Sequence, residues 1–199
     1  MLTLHDYLPS GNGYKVRLLL SQLGIRFALA EKDIMKGETR TPGFLAINPN
    51  GRIPVLELDD GRFLAESGAI LFYLAEGTRF LPEERFARAE VLQWMFFEQY
   101  SHEPYIAVAR FWTHHLGKAV DAEKIERGYQ ALDVMERHLG TRRFFVAERY
   151  TIADVALYAY THVAHEGGFD LAAYPNVRGW LGRVAAEPGH VAITHRAFA

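Results

Sequence analysis

Apolar and polar positions come in short runs over the first third of the chain, then settle into long helical periods. Leu2 to Tyr7 reads as a strand ending at Pro9-Ser10-Gly11. From Tyr14 to Leu23, Val16, Leu19, Leu20 and Leu23 share one helical face, and Gly24 stops the helix. Ile25 to Ala30 reads as a second strand. Thr41-Pro42 opens a short helix with proline placed early, where its missing N–H costs least. Val55 to Leu58 and Arg62 to Leu64 flank Asp59-Asp60-Gly61, a hairpin signal. Ser67 to Glu76 follows as a helix with Ile70, Leu71 and Leu74 inward. The order βαβ, α, ββα predicts a mixed sheet carrying helices on its faces.

Gly77 to Pro82 reads as a linker between an α/β domain of residues 1–77 and an all-helical domain of residues 83–199. Beyond it the strand signals vanish. Glu83 to about Leu116 is a long helix with a kink expected at Pro104. Asp121 to Leu139 repeats apolar residues at helical spacing and meets a stop at Gly140. Thr151-Ile152-Ala153-Asp154 is a capping box that opens a helix through His165. Pro175 begins one more helix, which ends before Pro188. The second half is therefore a helical bundle.

Composition narrows the function classes. The net charge of -2 supplies no basic field for nucleic acid or an anionic membrane. The 199 residues contain no cysteine, which excludes disulfides, zinc–thiolate sites and a cysteine nucleophile. Any thiol chemistry must use a thiol brought by a ligand. The first six residues lack a signal-peptide pattern, and no uncharged apolar run approaches membrane-spanning length. A soluble cytoplasmic protein is expected. Nine histidines call for a metal check. His114 and His115 are adjacent and cannot face one way on a helix, and His162 and His165 lack a supporting ligand pattern, so no metal site is expected.

Two segments carry the candidate chemistry. In the first, Ser10-Gly11-Asn12-Gly13 joins a strand to a helix. Its glycines begin a G-x-G-x-x-G pattern, but Val16 occupies the sixth position, so a dinucleotide site is not expected. Ser10 either caps the helix or donates a hydrogen bond to a ligand thiolate, with Asn12 ranked second and Tyr7 third as donor. A free thiol titrates near ~8.5. A hydrogen bond to a charged group contributes roughly 1.5–3 kcal/mol, and a helix N-terminus about 0.3–1. At about 1.4 kcal/mol per unit, the upper part of that range lowers the thiol by ~2 units, so no general base is needed.

The second segment runs from Arg52-Ile53-Pro54-Val55-Leu56 to Glu66-Ser67. Proline is tolerated at a strand's first residue, and a cis Ile53–Pro54 bond turns the backbone groups of Ile53 outward to pair with a ligand. Glu66 and Ser67 either cap a helix or hold an α-amino acid end, Glu66 against the ammonium and Ser67 against the carboxylate. Lys36 and Arg52 are candidates for a second ligand carboxylate. In the helical half, His102 lies near the expected kink and is either an exposed helix histidine or faces a cleft with Tyr105 and Phe111 or Trp112 as an apolar wall. There, lining residues and core residues are not separable among Tyr105, Ala109, Phe111, Trp112 and Tyr160.

Taken together, the 52–56 stretch, Glu66-Ser67 and the 151–154 capping box resemble the cytosolic glutathione S-transferases, bacterial members above all, over nearly the whole chain. The resemblance implies a thioredoxin-like N-terminal domain that binds glutathione, an all-helical C-terminal domain that contributes an electrophile site, and a homodimer. It implies a cis Ile53–Pro54 bond and glutathione as co-substrate, with no further cofactor. By the match, Ser10 stands at the thiolate-stabilising position and Asn12 assists. Ile53 pairs its backbone with the cysteinyl unit, Glu66 and Ser67 hold the γ-glutamyl end, and Lys36 and Arg52 meet the glycyl carboxylate. His102 resembles a cleft histidine of the beta class, and Gln99 a residue reaching the second subunit's glutathione. The beta class carries a cysteine near position 10; this chain has Ser10, so a mixed disulfide with the protein is impossible. The leading expectation is a glutathione transferase acting on a small hydrophobic electrophile. The alternatives are a glutathione-dependent reductase of small disulfides or peroxides, and a non-catalytic interaction protein on this fold.

Overall fold

The computed structural model describes residues 1–196, which fall into two compact units. The first comprises Met1–Glu76 and the C-terminal segment from Pro188; the second is Gly77–Glu187.

In the first unit, β1 (Leu2–Asp6) pairs in parallel with β2 (Phe27–Glu31) through the crossover helix α1 (Gly11–Gln22). The short helix α2 (Pro42–Ile47) leads to β3 (Val55–Glu57) and β4 (Phe63–Ala65), and α3 (Ser67–Ala75) closes the unit. The sheet order is β2-β1-β3-β4, with β3 antiparallel to both of its neighbours. This is the mixed sheet that the sequence order predicts and the thioredoxin-like arrangement that the resemblance implies. β2 starts two residues later than expected because α1 ends in a glycine stop. Gly24 takes φ 67°, and the Ile25 N–H bonds back to the Leu20 carbonyl, so Ile25 belongs to the cap. Leu4, Val55 and Leu56 of the sheet and Val16, Leu19, Leu20, Ile70 and Leu71 of α1 and α3 are fully buried.

Two boundaries differ from the sequence reading. Phe80 and Leu81, in the expected linker, are buried core of the second unit, and the Phe80 carbonyl accepts the Ile152 N–H at 3.0 Å. Their bulk and apolarity make them packing residues. The C-terminal segment, assigned from sequence to the helical domain, docks on α1 instead. The Ser21 hydroxyl donates to the Gly189 carbonyl at 2.8 Å, and the Tyr14 hydroxyl donates to the Val191 carbonyl at 2.6 Å. Arg17 donates to the carbonyls of Ile193 and His195 at 2.8 and 3.0 Å.

The second unit contains α4 (Arg85–Phe97), α5 (Glu103–Arg110), α6 (Ala122–Leu139), α7 (Ile152–Thr161) and α8 (Pro175–Ala185). The expected kink at Pro104 is a π-helical stretch over Glu98–His102. Proline offers no N–H to the carbonyl four residues back and its ring presses on that turn, so the backbone widens ahead of it. A second π stretch, Phe111–His115, follows α5 and stops at Gly117, φ 62°.

Every residue of α7 is buried. Its capping box forms as the sequence predicts: Thr151 Oγ1 accepts the Ala153 N–H, and Asp154 reaches back to the Thr151 N–H at 2.9 Å. Asp154 does more than cap. It also accepts the Phe145 N–H at 3.1 Å, the Trp180 Nε1–H at 2.9 Å and the Thr151 hydroxyl at 3.2 Å. One carboxylate thus joins the loop before α7 to α8. The helix after it ends at Thr161, short of His165, and the Thr161 hydroxyl turns back to the Leu157 carbonyl at 2.7 Å.

Asp154→Ala leaves several buried donors without an acceptor, at about 1–3 kcal/mol each, so a loss of roughly 3–5 kcal/mol is expected. In thermal unfolding that is a Tm lower by ~10 °C. Burial pushes the Asp154 carboxyl from 3.8 up to about 6 against the pull of its four donors. A carboxyl raised in the folded state stabilises fully below its unfolded value and loses that contribution as pH rises through the folded value. Wild-type stability therefore falls more steeply than that of Asp154→Asn between about pH 4 and 6, as a pH series of denaturant melts would measure.

Candidate functional site

The loop between β1 and α1 is fixed before any side chain in it does chemistry. Asp6 and Arg17 form a buried ion pair, Nε to Oδ2, at 2.9 Å. Asp6 Oδ1 accepts the Tyr7 N–H at 2.7 Å, and Arg17 Nη2 donates to the Leu8 carbonyl at 2.6 Å. A Cβ built on Gly13 would lie 1.6 Å from Asp6 Oδ1, so only glycine fits there. Burial pushes the Asp6 carboxyl up to about 6, and Arg17 pulls it down.

Ser10 is the N-cap of α1, with extended backbone at φ -71°, ψ 128°. Its Oγ accepts the Gly13 N–H at 3.4 Å, a long bond. A hydroxyl accepts and donates at once, so capping leaves its proton to give. The structural and the chemical readings of Ser10 are therefore compatible.

Asn12 turns its Oδ1 to the ammonium of Lys15, 2.7 Å away. The Ser67 hydroxyl lies 3.5 Å from the same oxygen, at the limit of hydrogen-bond reach. The starts of α1 and α3 meet through Asn12. Lys15 is absent from the sequence reading, yet it is only 1% exposed. No local sequence signal marks it: residues 13 to 20 are buried without a break in the folded protein, so α1 has no solvated face in that stretch for a lysine.

Glu66 is exposed and sits just before α3 at φ 69°, ψ 116°, a conformation that non-glycine residues rarely adopt. Its side chain makes no capping bond, which removes the plain structural explanation for it. Ser67 opens α3 and is buried. The Ile53–Pro54 bond is cis, Pro54 is buried and Ile53 is half-buried. Asn48 orders the approach to it: its Nδ2 donates to the Arg52 carbonyl at 2.7 Å, and its Oδ1 accepts the Asn50 N–H at 3.1 Å. Arg52 is exposed. Lys36 is exposed and paired with Asp33 at 3.1 Å, an exchangeable surface pair that an incoming carboxylate can replace.

Tyr7, the third-ranked donor, stands among carboxylates. Burial pushes its phenol up, and the charges of Asp33 and Glu31 push it further in the same direction. The same negative field disfavours a thiolate beside it.

In the second unit, Tyr105 and Trp112 are half-buried and seven residues apart. Both carry a cation from α6: Arg127 at 5.7 Å from the Tyr105 ring and Lys124 at 5.3 Å from the Trp112 ring. His102 departs from expectation. It is fully buried, with Nε2 2.9 Å from the Thr161 hydroxyl. It belongs to the π stretch ahead of Pro104 and is an internal histidine, where an open cleft wall was expected. Gln99 is exposed, its amide donating to Glu98 at 2.8 Å. Among the described residues, no three His, Cys, Asp or Glu side chains gather as metal ligands, and no helix is long and apolar enough to cross a membrane.

Comparison with known proteins places these features in a family. Residues 1–76 match the model for the glutathione S-transferase N-terminal domain, and residues 107–183 that for the C-terminal domain. A glutathione S-transferase structure from Pseudomonas fluorescens Pf-5 superposes with a TM-score of 0.95 at 52% identity, covering 98% of this chain and 99% of that one. The Escherichia coli protein named disulfide-bond oxidoreductase YfcG is 33% identical over 92% of this chain and 89% of its own length. A structure of Ure2p in complex with glutathione aligns with a TM-score of 0.85 at 26% identity, covering 94% of this chain and 90% of that one. The chain belongs to the cytosolic glutathione S-transferase superfamily. That membership supports a glutathione-binding, transferase-type function.

Backbone held in a sparsely populated region costs about 1–3 kcal/mol, and glycine relieves it. Glu66→Gly is expected to be about 1 kcal/mol more stable than wild type, a rise of roughly 2–4 °C in Tm by calorimetry. An unchanged or lower Tm would mean that the backbone at Glu66 is not strained.

Proposed function

We propose that the protein is a glutathione transferase: it binds glutathione on its thioredoxin-like unit, stabilises the thiolate, and directs that sulfur at a small hydrophobic electrophile. The carrying observation is the convergence of Ser10, Asn12 and Ser67 at two helix starts, with Glu66 exposed and uncapped beside them. Ser10 and Asn12 donate to the sulfur. Ile53 offers backbone to the cysteinyl unit next to Pro54. Glu66 pairs the γ-glutamyl ammonium, Ser67 and the α3 N-terminus take its carboxylate, and Lys36 and Arg52 meet the glycyl carboxylate. Helix dipole and donors together make the thiolate the favoured form, and positioning supplies the rest of the rate. Tyr105 and Trp112 are the electrophile-site residues of the helical unit.

A second reading shares the same thiolate. Similarity to a protein named a disulfide-bond oxidoreductase favours reduction of small disulfides. With no cysteine in the chain, the bound glutathione sulfur must attack the disulfide itself, releasing one thiolate and leaving a glutathione mixed disulfide for a second glutathione to resolve. Homodimerisation belongs to the proposal too. Phe86 of α4 and Tyr100 of the π stretch after it are 70% and 83% exposed, apolar surface that a second copy would cover.

Glutathione at a hundred times its Kd is expected to stabilise the protein by about 2.7 kcal/mol, read as a rise in Tm. No rise would remove both readings. Turnover of a chloronitrobenzene against a model disulfide then separates conjugation from reduction. Ser10→Ala is expected to cut kcat tenfold or more, about 1.4 kcal/mol, with glutathione affinity little changed; full activity would pass the role to Asn12.

A further inference from the structure

We propose that a pocket in the helical unit binds the phosphate group of a small molecule, either inorganic phosphate or a phosphomonoester. The pocket lies between the C-terminal end of α6, the loop that follows it and α8. None of its residues belongs to the candidate glutathione site, so the proposal stands apart from the transferase reading.

The pocket holds about 350 Å³, toward the small end of ligand sites. Three arginines, Arg142, Arg143 and Arg183, line it with one carboxylate, Glu148. The loop engages that carboxylate on its own backbone. Ala147 and Glu148 take φ of 50° and 54° between the bridged residues Val146 and Arg149, and Glu148 Oε2 accepts the Arg143 N–H at 2.9 Å. Glu148 Oε1 is 3.9 Å from Arg142 Nη1, too far for a hydrogen bond. Two successive non-glycine residues in the left-handed region are costly, and such strain gathers at binding sites. Arg183 is half-buried and anchored by its Nε, which donates to the Arg143 carbonyl at 3.0 Å. A Cβ built on Gly179 would touch Arg183 Nη1 at 3.4 Å, so the guanidinium rests against bare backbone in the pocket wall. Burial and the charge of Arg143 push the Arg183 guanidinium below its ordinary value, against the pull of Asp154 and Glu148. These cations are near enough to repel, and an anion between them relieves the repulsion. Guanidinium forks match phosphate oxygens in pairs. An excess of two positive charges suits a phosphomonoester, which carries about −1.5 to −2 at pH 7.

The test is calorimetric titration of the full chain, free of glutathione, with inorganic phosphate and with glycerol 3-phosphate. Saturable binding is expected. Equal affinity for the two would identify inorganic phosphate as the ligand, and tighter binding of the ester a phosphorylated metabolite; both support the site. Arg143→Gln should weaken binding about tenfold. It spares the bonds to Glu148 and Arg183, which residue 143 makes through its backbone. Glu148→Gln keeps an oxygen for the Arg143 N–H and removes the competing charge, so it should tighten binding about threefold. Arg149→Gln, in the same loop but outside the pocket lining, should leave affinity unchanged. Should Arg143→Gln not fold, Arg142→Gln replaces it, with binding about threefold weaker. No saturable binding of either probe would overturn the proposal. So would binding that Arg143→Gln leaves intact, which puts the anion elsewhere, or that Arg149→Gln weakens equally, which marks diffuse surface charge. Succinate bound as tightly as phosphate would overturn the assignment of a phosphate site.

Discussion

The buried Asp6–Arg17 ion pair is the interaction on which the candidate site depends. One guanidinium reaches the end of β1 at Asp6, the loop at Leu8, and the C-terminal segment at Ile193 and His195. The carboxylate it holds takes the Tyr7 N–H and occupies the space beside Gly13. Charges buried this deeply are tolerated only when paired and hydrogen-bonded, and breaking one partner strands the other. The loop between these anchors is the one that presents Ser10 and Asn12. A thiolate donor misplaced by an ångström loses much of its value, so a rigid loop is a condition for the proposed chemistry.

The helical unit has a counterpart in Asp154. One fully buried carboxylate accepts from Phe145, Thr151 and Trp180, and it sits at the head of a helix buried on every side. The two units thus use the same device, a buried acid that gathers donors from separate segments. In the first unit the acid has a cation opposite it; in the second it is held by neutral donors alone. The second acid organises packing, and nothing about its surroundings suggests contact with substrate.

Much of this was legible in the sequence, for identifiable reasons. Element order, the helical second half and the α7 capping box follow from periodicity and punctuation, which are local signals; the order of strands within the sheet does not. Ser10, Asn12, Glu66 and Ser67 stand beside glycines, prolines and helix starts, so position alone marked them. Lys15 and Arg17 did not stand out because charged residues on a helix ordinarily read as a solvated face; only the tertiary burial of α1 makes them internal. Asp6 was hidden for the same reason, as a polar residue at a strand end. The burial of His102 was not legible because a π stretch changes which face a residue occupies, and straight 3.6-residue counting does not register it. The C-terminal segment has little periodicity, and its docking on α1 is made largely through backbone carbonyls, to which side-chain patterns are blind. Phe80 and Leu81 read as linker because short connections between domains are judged by their glycines and prolines, and here the apolar pair decides.

The account holds that a borrowed sulfur sits at the start of α1 as an anion. A crystal structure with glutathione bound tests this most directly. The account predicts the sulfur within hydrogen-bond distance of Ser10 Oγ or the Asn12 amide nitrogen, with the γ-glutamyl end at Glu66 and Ser67. A sulfur lying away from residues 10–12, with the peptide still bound, would contradict it.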